Sequence, residues 1–346
     1  MKKLSDPKPD WPLWKKPDDL RRELQVSPAT MIIALREPGQ YRIVPIDRGP
    51  GKPPRVIFCP RIELKTVQRR VLRRILDALP LPDCVHSRQG RSAVSNAALH
   101  VGQQAVAVFD MQDFFPSIPS DRVHRLFSDI GFNRRLAKML TRLTTAEGHL
   151  QQGPPTSPAV ANLLAIPLDQ ELCSWCRLHG LNYSRYVDDL AISGEAAALI
   201  DIDKIVREAI ERNGFVYSES KYHLMFAGSP QKVTGIVVNS GLQVAAEYVE
   251  AVVEAIDAFT HFAQHLPSDM LLEQYARVRG RIAFCRQVAP TMGTSLYAYL
   301  QEQAAKLPPS TQADLRKGSC STRTRSSSRR RGGRRSHLSD SAHALL

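Results

Sequence analysis

Asn182-Tyr183-Ser184-Arg185-Tyr186-Val187-Asp188-Asp189-Leu190-Ala191-Ile192-Ser193 sets two adjacent carboxylates between two strand-like apolar runs. Asp-Asp is a poor strand interior and a good tight turn, so the stretch predicts a hairpin with both carboxylates at its tip. Like charges side by side repel and call for a cation. Oxygen-only ligands select Mg²⁺ or Mn²⁺ over zinc. Taken alone, Asp-Asp is most simply an exposed acidic turn. Upstream, Val106-Ala107-Val108-Phe109-Asp110 is a second buried-type strand ending in a carboxylate, followed by Asp113 and Phe114-Phe115-Pro116-Ser117-Ile118. A strand-end Asp110 beside the Asp188-Asp189 tip makes three carboxylates. Three are enough to hold two Mg²⁺ ions about 3.5–4 Å apart for in-line phosphoryl transfer.

The 346 residues suffice for a large core or two to three subdomains, and 43% hydrophobic with 23% charged residues is ordinary for a globular protein. No apolar run approaches the roughly 20 residues that span a bilayer. The N-terminus Met1-Lys2-Lys3-Leu4-Ser5-Asp6-Pro7 lacks an apolar signal core. A soluble cytoplasmic protein with no membrane partner is expected. The formal charge is +13, of which the segment from Pro308 onward carries +7. Body and tail are both basic, as suits a polyanionic partner. Of the six cysteines, Cys173 and Cys176 have CxxC spacing without a second pair, which reads as two thiols one helical turn apart in a core.

Several segments flank these two motifs. Tyr41 to Ile46 and Arg55 to Pro60 read as strands around a Gly/Pro turn, with Lys52 and Arg55 near its tip. Leu64, Val67, Val71, Leu72 and Ile75 form a helical stripe whose opposite face is basic, either a template-tracking face or a solvated one. Ser120 is placed to cap one helix, and Asn133 to Thr144 is another. In Gln151-Gln152-Gly153-Pro154-Pro155-Thr156-Ser157-Pro158, Ser157 as cap with Pro158 after it opens a helix reaching about Leu178. Gln231 to Gly241 is a strand running into an Asn-Ser-Gly turn, and Leu242 to Val244 return from it.

The Asp110-x-x-Asp113-Phe114-Phe115-Pro116-Ser117-Ile118 run resembles the first palm motif of reverse transcriptases, and Tyr186-Val187-Asp188-Asp189 resembles their hairpin motif. Gln152-Gly153-Pro154-Pro155-Thr156-Ser157-Pro158 resembles the Gln-Gly loop that lies between them in the family's order. Asn96, Ala97 and His100 match the Asn-Ala-x-x-His element of retron enzymes, and Val233-Thr234-Gly235 matches their Val-Thr-Gly triplet. Val187 departs from the Ala commonest in retrons and leaves the metal site intact.

The resemblance covers roughly residues 40 to 305 and implies an α+β right-hand polymerase fold with fingers, a βαββ-type palm and an α-helical thumb. The expected division is an N-terminal cap at 1–39, fingers at 40–103, palm at 104–244, thumb at 245–307 and a disordered basic tail at 308–346. The implied activity is RNA-directed DNA synthesis at Asp110, Asp188 and Asp189 with two Mg²⁺, for which Mn²⁺ can substitute. Arg55 becomes a triphosphate clamp. Phe115 becomes the residue that stacks on the sugar and excludes a 2′-hydroxyl, so dNTPs are chosen. Gln152 and Gly153 contact the incoming nucleotide and templating base, with Asn162 facing the same pocket. Lys221 is either a general acid for the leaving pyrophosphate or a surface lysine. Asn96, His100, Val233, Thr234 and Gly235 become RNA contacts.

Retron membership further implies a structured non-coding RNA as template, priming from its 2′-hydroxyl, a branched RNA–DNA product and anti-phage defence. Two alternatives stand beside it. One is a bacterial reverse transcriptase of diversity-generating or abortive-infection type. The other is an RNA–DNA scaffold restraining a toxic effector protein.

Overall fold

The computed structural model describes residues 14–36, 39–49, 51 and 53–315. Lys52 and the tail from 316 onward lie outside the described residues, so the expectations placed on them stay with the sequence. The chain divides into two compact units, Met1–Thr234 and Gly235–Leu346. The division falls inside the stretch assigned to the palm, where Thr234 and Gly235 both take positive φ, +47° and +78°.

The first unit opens with helices α1 (Pro17–Glu23) and α2 (Pro28–Ala34), strands β1 (Tyr41–Ile46) and β2 (Arg55–Pro60), and helix α3 (Ile62–Arg74). Ser27 caps α2 by accepting from the Thr30 N–H. β1 and β2 form the antiparallel hairpin read from the Gly/Pro turn, with Ile46 opposite Arg55. On α3, Leu64, Val67 and Val71 are buried while Arg69, Arg73 and Arg74 face out.

Helix α4 (Ala93–Ala98) leads into strand β3 (Ala105–Gln112), which is buried along nearly all its length. A strand covered on both faces needs a continuous apolar run, and Ala-Val-Ala-Val-Phe supplies it. Next come α5 (Ser120–Asp129), α6 (Arg134–Thr144), α7 (Ser157–Leu164) and α8 (Ile166–Leu178), then β4 (Asn182–Tyr186) and β5 (Asp189–Gly194). After these follow α9 (Ile202–Arg212), β6 (Val216–Tyr217), β7 (His223–Phe226) and β8 (Lys232–Val233). The central sheet runs β4-β5-β3-β6, with β7 also pairing β3, and its pairs are antiparallel. Helices α5 to α9 supply Phe127, Leu136, Leu140, Leu143, Leu168 and Ile210 to the core around it.

Two helix starts differ from the sequence reading. Pro119, not Ser120, precedes α5, and no side chain caps it. The helix expected from Ser157 to Leu178 is two helices, because Pro167 has no N–H to give the Leu163 carbonyl.

The second unit holds the hairpin β9 (Ile236–Val237) and β10 (Gln243–Val244), then α10 (Ala246–Phe262), α11 (Ser268–Val288) and α12 (Pro290–Ala305). This is the three-helix arrangement expected of the thumb. Gly293 lets α12 pass close to α11, since a Cβ there would lie 2.3 Å from the Arg286 Cα. Arg277 and Arg279 are exposed on either side of the buried Val278. Residues 309–315 are helical, which corrects the start of the tail at 308. Leu307, Thr311 and Leu315 are buried, and Gln312 Nε2 donates to the Ala305 and Leu307 carbonyls. Among the described residues no helix is long and apolar enough to cross a membrane.

Candidate active site

The expected hairpin is present, but only Asp188 lies in its turn, and Asp189 opens β5. β4 and β5 pair through Tyr186 and Asp189, leaving Val187 and Asp188 as the two-residue turn. β3 lies on the other side of β5 with Asp110 directly opposite Asp189. Backbone bonds tie the three positions further. Met111 N–H donates to the Asp188 carbonyl at 3.2 Å, and Ser218 N–H donates to that of Asp110 at 3.1 Å.

The electrostatics are those of crowded anions. Burial raises the Asp188 carboxyl above its ordinary range, and the Asp110 charge adds to this, while Lys221 and Arg55 pull it back. Asp189 is pushed up to about 7, first by burial, then by Asp188 and Asp110. Lys221 Nζ donates to Asp110 Oδ2 at 2.5 Å. Asp110 Oδ1 is buried with no hydrogen-bond partner among the described residues. As the side chains stand, no group of three or more Asp, Glu, His or Cys among the described residues is gathered to hold a metal ion. An orphaned carboxylate oxygen, two raised acids and an all-oxygen donor set nonetheless fit a hard divalent cation.

The other expected nucleotide contacts lie on neighbouring elements of the same unit. Phe114 is buried while Phe115 is half-buried beside it, ring centres 5.5 Å apart, and packs partly against the core. Arg55 opens β2 and is half-buried. The Gln152 carbonyl accepts from the Phe58 N–H at 2.8 Å, which ties the 152–153 loop to β2. Gly153 has φ +116°, and a Cβ there would fall 2.6 Å from the Phe58 carbonyl oxygen. Only glycine permits that approach. At the start of α7 the Thr156 and Ser157 hydroxyls are buried without partners among the described residues.

The retron-type marks are placed differently from the expectation. α4 packs against β8, and Thr234 Oγ1 donates to the Ala93 carbonyl at 3.3 Å, so the two marks meet. His100 is fully buried, with its ring nitrogens 2.7 Å from Ser193 Oγ and 2.7 Å from Ser184 Oγ. It therefore bridges β4 and β5. Asn96 and Val233 are also buried. Direct RNA contact through Asn96, His100 and Val233 is corrected: burial removes their side chains from any polyanion. Gly235 remains exposed and Thr234 half-buried.

Sequence reasoning missed the polar lattice beneath β4. Arg185 is fully buried and meets Asp169 on α8 with two bonds, Nε to Oδ1 at 2.8 Å and Nη2 to Oδ2 at 2.7 Å. Tyr183 Oη donates to the same carboxylate at 2.9 Å. Asn162 is buried and accepts from Arg185 Nη1 at 2.9 Å, so it serves this lattice and not a nucleotide pocket. The signal was present: an arginine inside a strand that the hairpin reading buries needs a buried partner.

A family model described as reverse transcriptase (RNA-dependent DNA polymerase) matches residues 48–240. The retron Ec86 reverse transcriptase of Escherichia coli is 32% identical over 225 residues, covering 64% of this chain and 70% of that protein. The retron Mx65 reverse transcriptase of Myxococcus xanthus is 31% identical over 261 residues, covering 68% of this chain and 61% of that protein. Among solved structures, telomerase from Candida albicans with a fragment of telomeric RNA aligns at TM-score 0.43 and 12% identity, over 77% of this chain and 57% of that one. A foamy viral protease-reverse transcriptase with double-stranded DNA aligns at 0.41 and 16%, over 80% of this chain and 44% of that one.

Proposed function

This chain belongs to the reverse transcriptase (RNA-dependent DNA polymerase) family, in its retron branch, and on that premise we propose that it copies a cognate structured non-coding RNA into DNA. Synthesis starts from a 2′-hydroxyl of that RNA and leaves a branched RNA–DNA product. The product serves anti-phage defence in the cytoplasm, where an effector protein is a further partner. The observation that carries the chemistry is the pairing of Asp110 with Asp189 beside Asp188, with one Asp110 oxygen orphaned.

Asp110, Asp188 and Asp189 would hold two Mg²⁺ ions, with Mn²⁺ as a substitute, which would supply Lewis acidity for the attacking hydroxyl and the leaving pyrophosphate. The chain's own groups do the rest. Arg55 clamps the triphosphate by paired hydrogen bonds to its oxygens. Phe115 stacks on the sugar and denies space to a 2′-hydroxyl. Gln152 contacts the incoming nucleotide, and Gly153 keeps its loop flush against β2. Lys221, already within reach of Asp110, gives a proton to the pyrophosphate. Thr234 and Gly235 offer the partly open end of the RNA-facing marks.

The test is to purify the full chain with its bound nucleic acid and treat the product with debranching enzyme. DNA released from RNA by that treatment supports the reading. Protein carrying only unbranched RNA overturns the retron assignment.

A further inference from the structure

A two-residue hairpin loop with positive φ at its first central position alone is of the type II′ kind, which favours glycine there. Here that position is Val187, at φ +60°, and Asp188 is not among the positive-φ residues. A β-branched residue in the left-handed region is a true outlier and is held only where its surroundings over-determine it.

The surroundings do so through both polar groups of the Val187 backbone. Its N–H donates to Ser87 Oγ at 3.0 Å. Its carbonyl accepts from Arg185 Nη1 at 2.8 Å. Each clamp is itself fixed. Ser87 Oγ donates to Asn162 Oδ1 at 3.2 Å, and Asn162 Nδ2 returns a bond to the Ser87 carbonyl at 2.9 Å. Arg185 is locked by its two bonds to Asp169 and a third to Asn162. The segment carrying Ser87 runs along the free edge of β4, with Arg185 N–H on the Cys84 carbonyl and His86 N–H on the Arg185 carbonyl, both at 2.8 Å. Val85 and Arg185 form a parallel bridge there.

We propose that Ser87 and Arg185 are positioning residues that hold Val187 in its left-handed conformation and so aim the Asp188 and Asp189 carboxylates. Arg185 is fully buried and the Ser87 hydroxyl is taken up by Asn162 and Val187, so both act through the turn. Ser87 lies on the segment that joins the loop of the half-buried, Asp83-paired Arg88 and Arg91 with the hairpin, so the aim of the acids depends on a stretch far from them in the chain. The inference rests on the polymerase reading for its kinetic arm only.

The experiment compares Ser87→Ala in the natural background and in a Val187→Gly background, using the full chain, poly(rA)·oligo(dT) and dTTP with Mg²⁺. Glycine adopts positive φ without help, so the clamp should become dispensable. In the natural background kcat should fall about tenfold, the value of one lost hydrogen bond, with KM for dTTP within about twofold. In the glycine background the same change should cost less than about threefold. Ser87→Thr should keep kcat and Ser87→Val should lose it, since the two differ chiefly in the hydroxyl. Hydrogen exchange of the Val187 amide gives a readout without activity: slow in the natural chain, fast in Ser87→Ala.

Equal losses in both backgrounds, a loss confined to KM, or an unchanged exchange rate would each overturn the proposal. A natural chain that makes no DNA but shows the exchange difference would sink the polymerase reading and leave the clamp standing.

Discussion

Asp110, Asp188 and Asp189 meet on one side of the β4–β5 hairpin and Arg185, Asp169 and Asn162 meet beneath it, yet the two groups are kept in opposite states. The acids are under-satisfied: one oxygen is orphaned, Asp188 is raised, and Asp189 sits at about 7. The lattice beneath is satisfied: Arg185 reaches Asp169, Asn162 and the Val187 carbonyl. Groups that wait for a ligand carry unspent electrostatic energy, whereas groups that hold shape have spent theirs. The same contrast appears in the backbone. Of five non-glycine residues with positive φ among those described, Asp113, Val187 and Thr234 fall in three of the five family motifs.

The largest effect should come from the acids. Asp188→Asn with Asp189→Asn should cut RNA-templated DNA synthesis by at least about a thousandfold. The melting temperature should hold or rise, because two carboxylates that burial and repulsion disfavour have gone. A melting temperature lowered by this double change would mean that the acids hold shape after all, and the contrast would fail.

Arg185→Met should lower unfolding free energy by about 3–5 kcal/mol, because Asp169 is left charged and buried. Adding Asp169→Leu should recover much of it. Denaturant melts of the single and double variants check this. A double variant no better than the single would show that the pair's net attraction, not the stranded charge, sets the cost.

His100 tests the buried bridge between β4 and β5 by pH. Burial, with a smaller push from His86, lowers it from 6.5 to about 4. The folded chain then binds fewer protons than the unfolded one between those values. Stability is therefore full above pH 6.5 and is lost as pH falls toward 4, by up to roughly 3 kcal/mol. His86, also lowered to about 4, adds in the same direction. His100→Gln should flatten the slope of melting temperature against pH over that range; an unchanged slope would show that the buried bridge between Ser184 and Ser193 does not set the acid sensitivity.

The smallest effect belongs to Gly153→Ala. A Cβ against the Phe58 carbonyl should push β2 and Arg55 outward and raise KM for dNTP about tenfold. Normal KM would detach the 152–153 loop from nucleotide binding.

The acid side was legible in the chain because its signals are local. An apolar strand carrying Asp110, a hairpin at the Asp-Asp pair and a glycine loop at 153 follow short-range patterns, although β3 runs on to Gln112 and the turn falls one residue early, at Val187-Asp188. The lattice was not, because Arg185, Asp169, Asn162 and Ser87 lie far apart along the chain and only the fold reveals their pairing. His100 was misread for a related reason: the motif marks where it is, but not that Ser184 and Ser193 close over it. The helix break at Pro167 was legible in principle, because proline lacks the N–H that a helix running through it would need.

The most direct test of the central claim is dTMP incorporation on poly(rA)·oligo(dT) by the full chain and by Asp110→Asn, each titrated with Mg²⁺ from a chelated start. The account predicts no synthesis without the cation, synthesis by the natural chain as Mg²⁺ is added, and none by Asp110→Asn at any concentration. Undiminished synthesis by Asp110→Asn would show that the β3 carboxylate takes no part with the hairpin pair, and would contradict the account at its root.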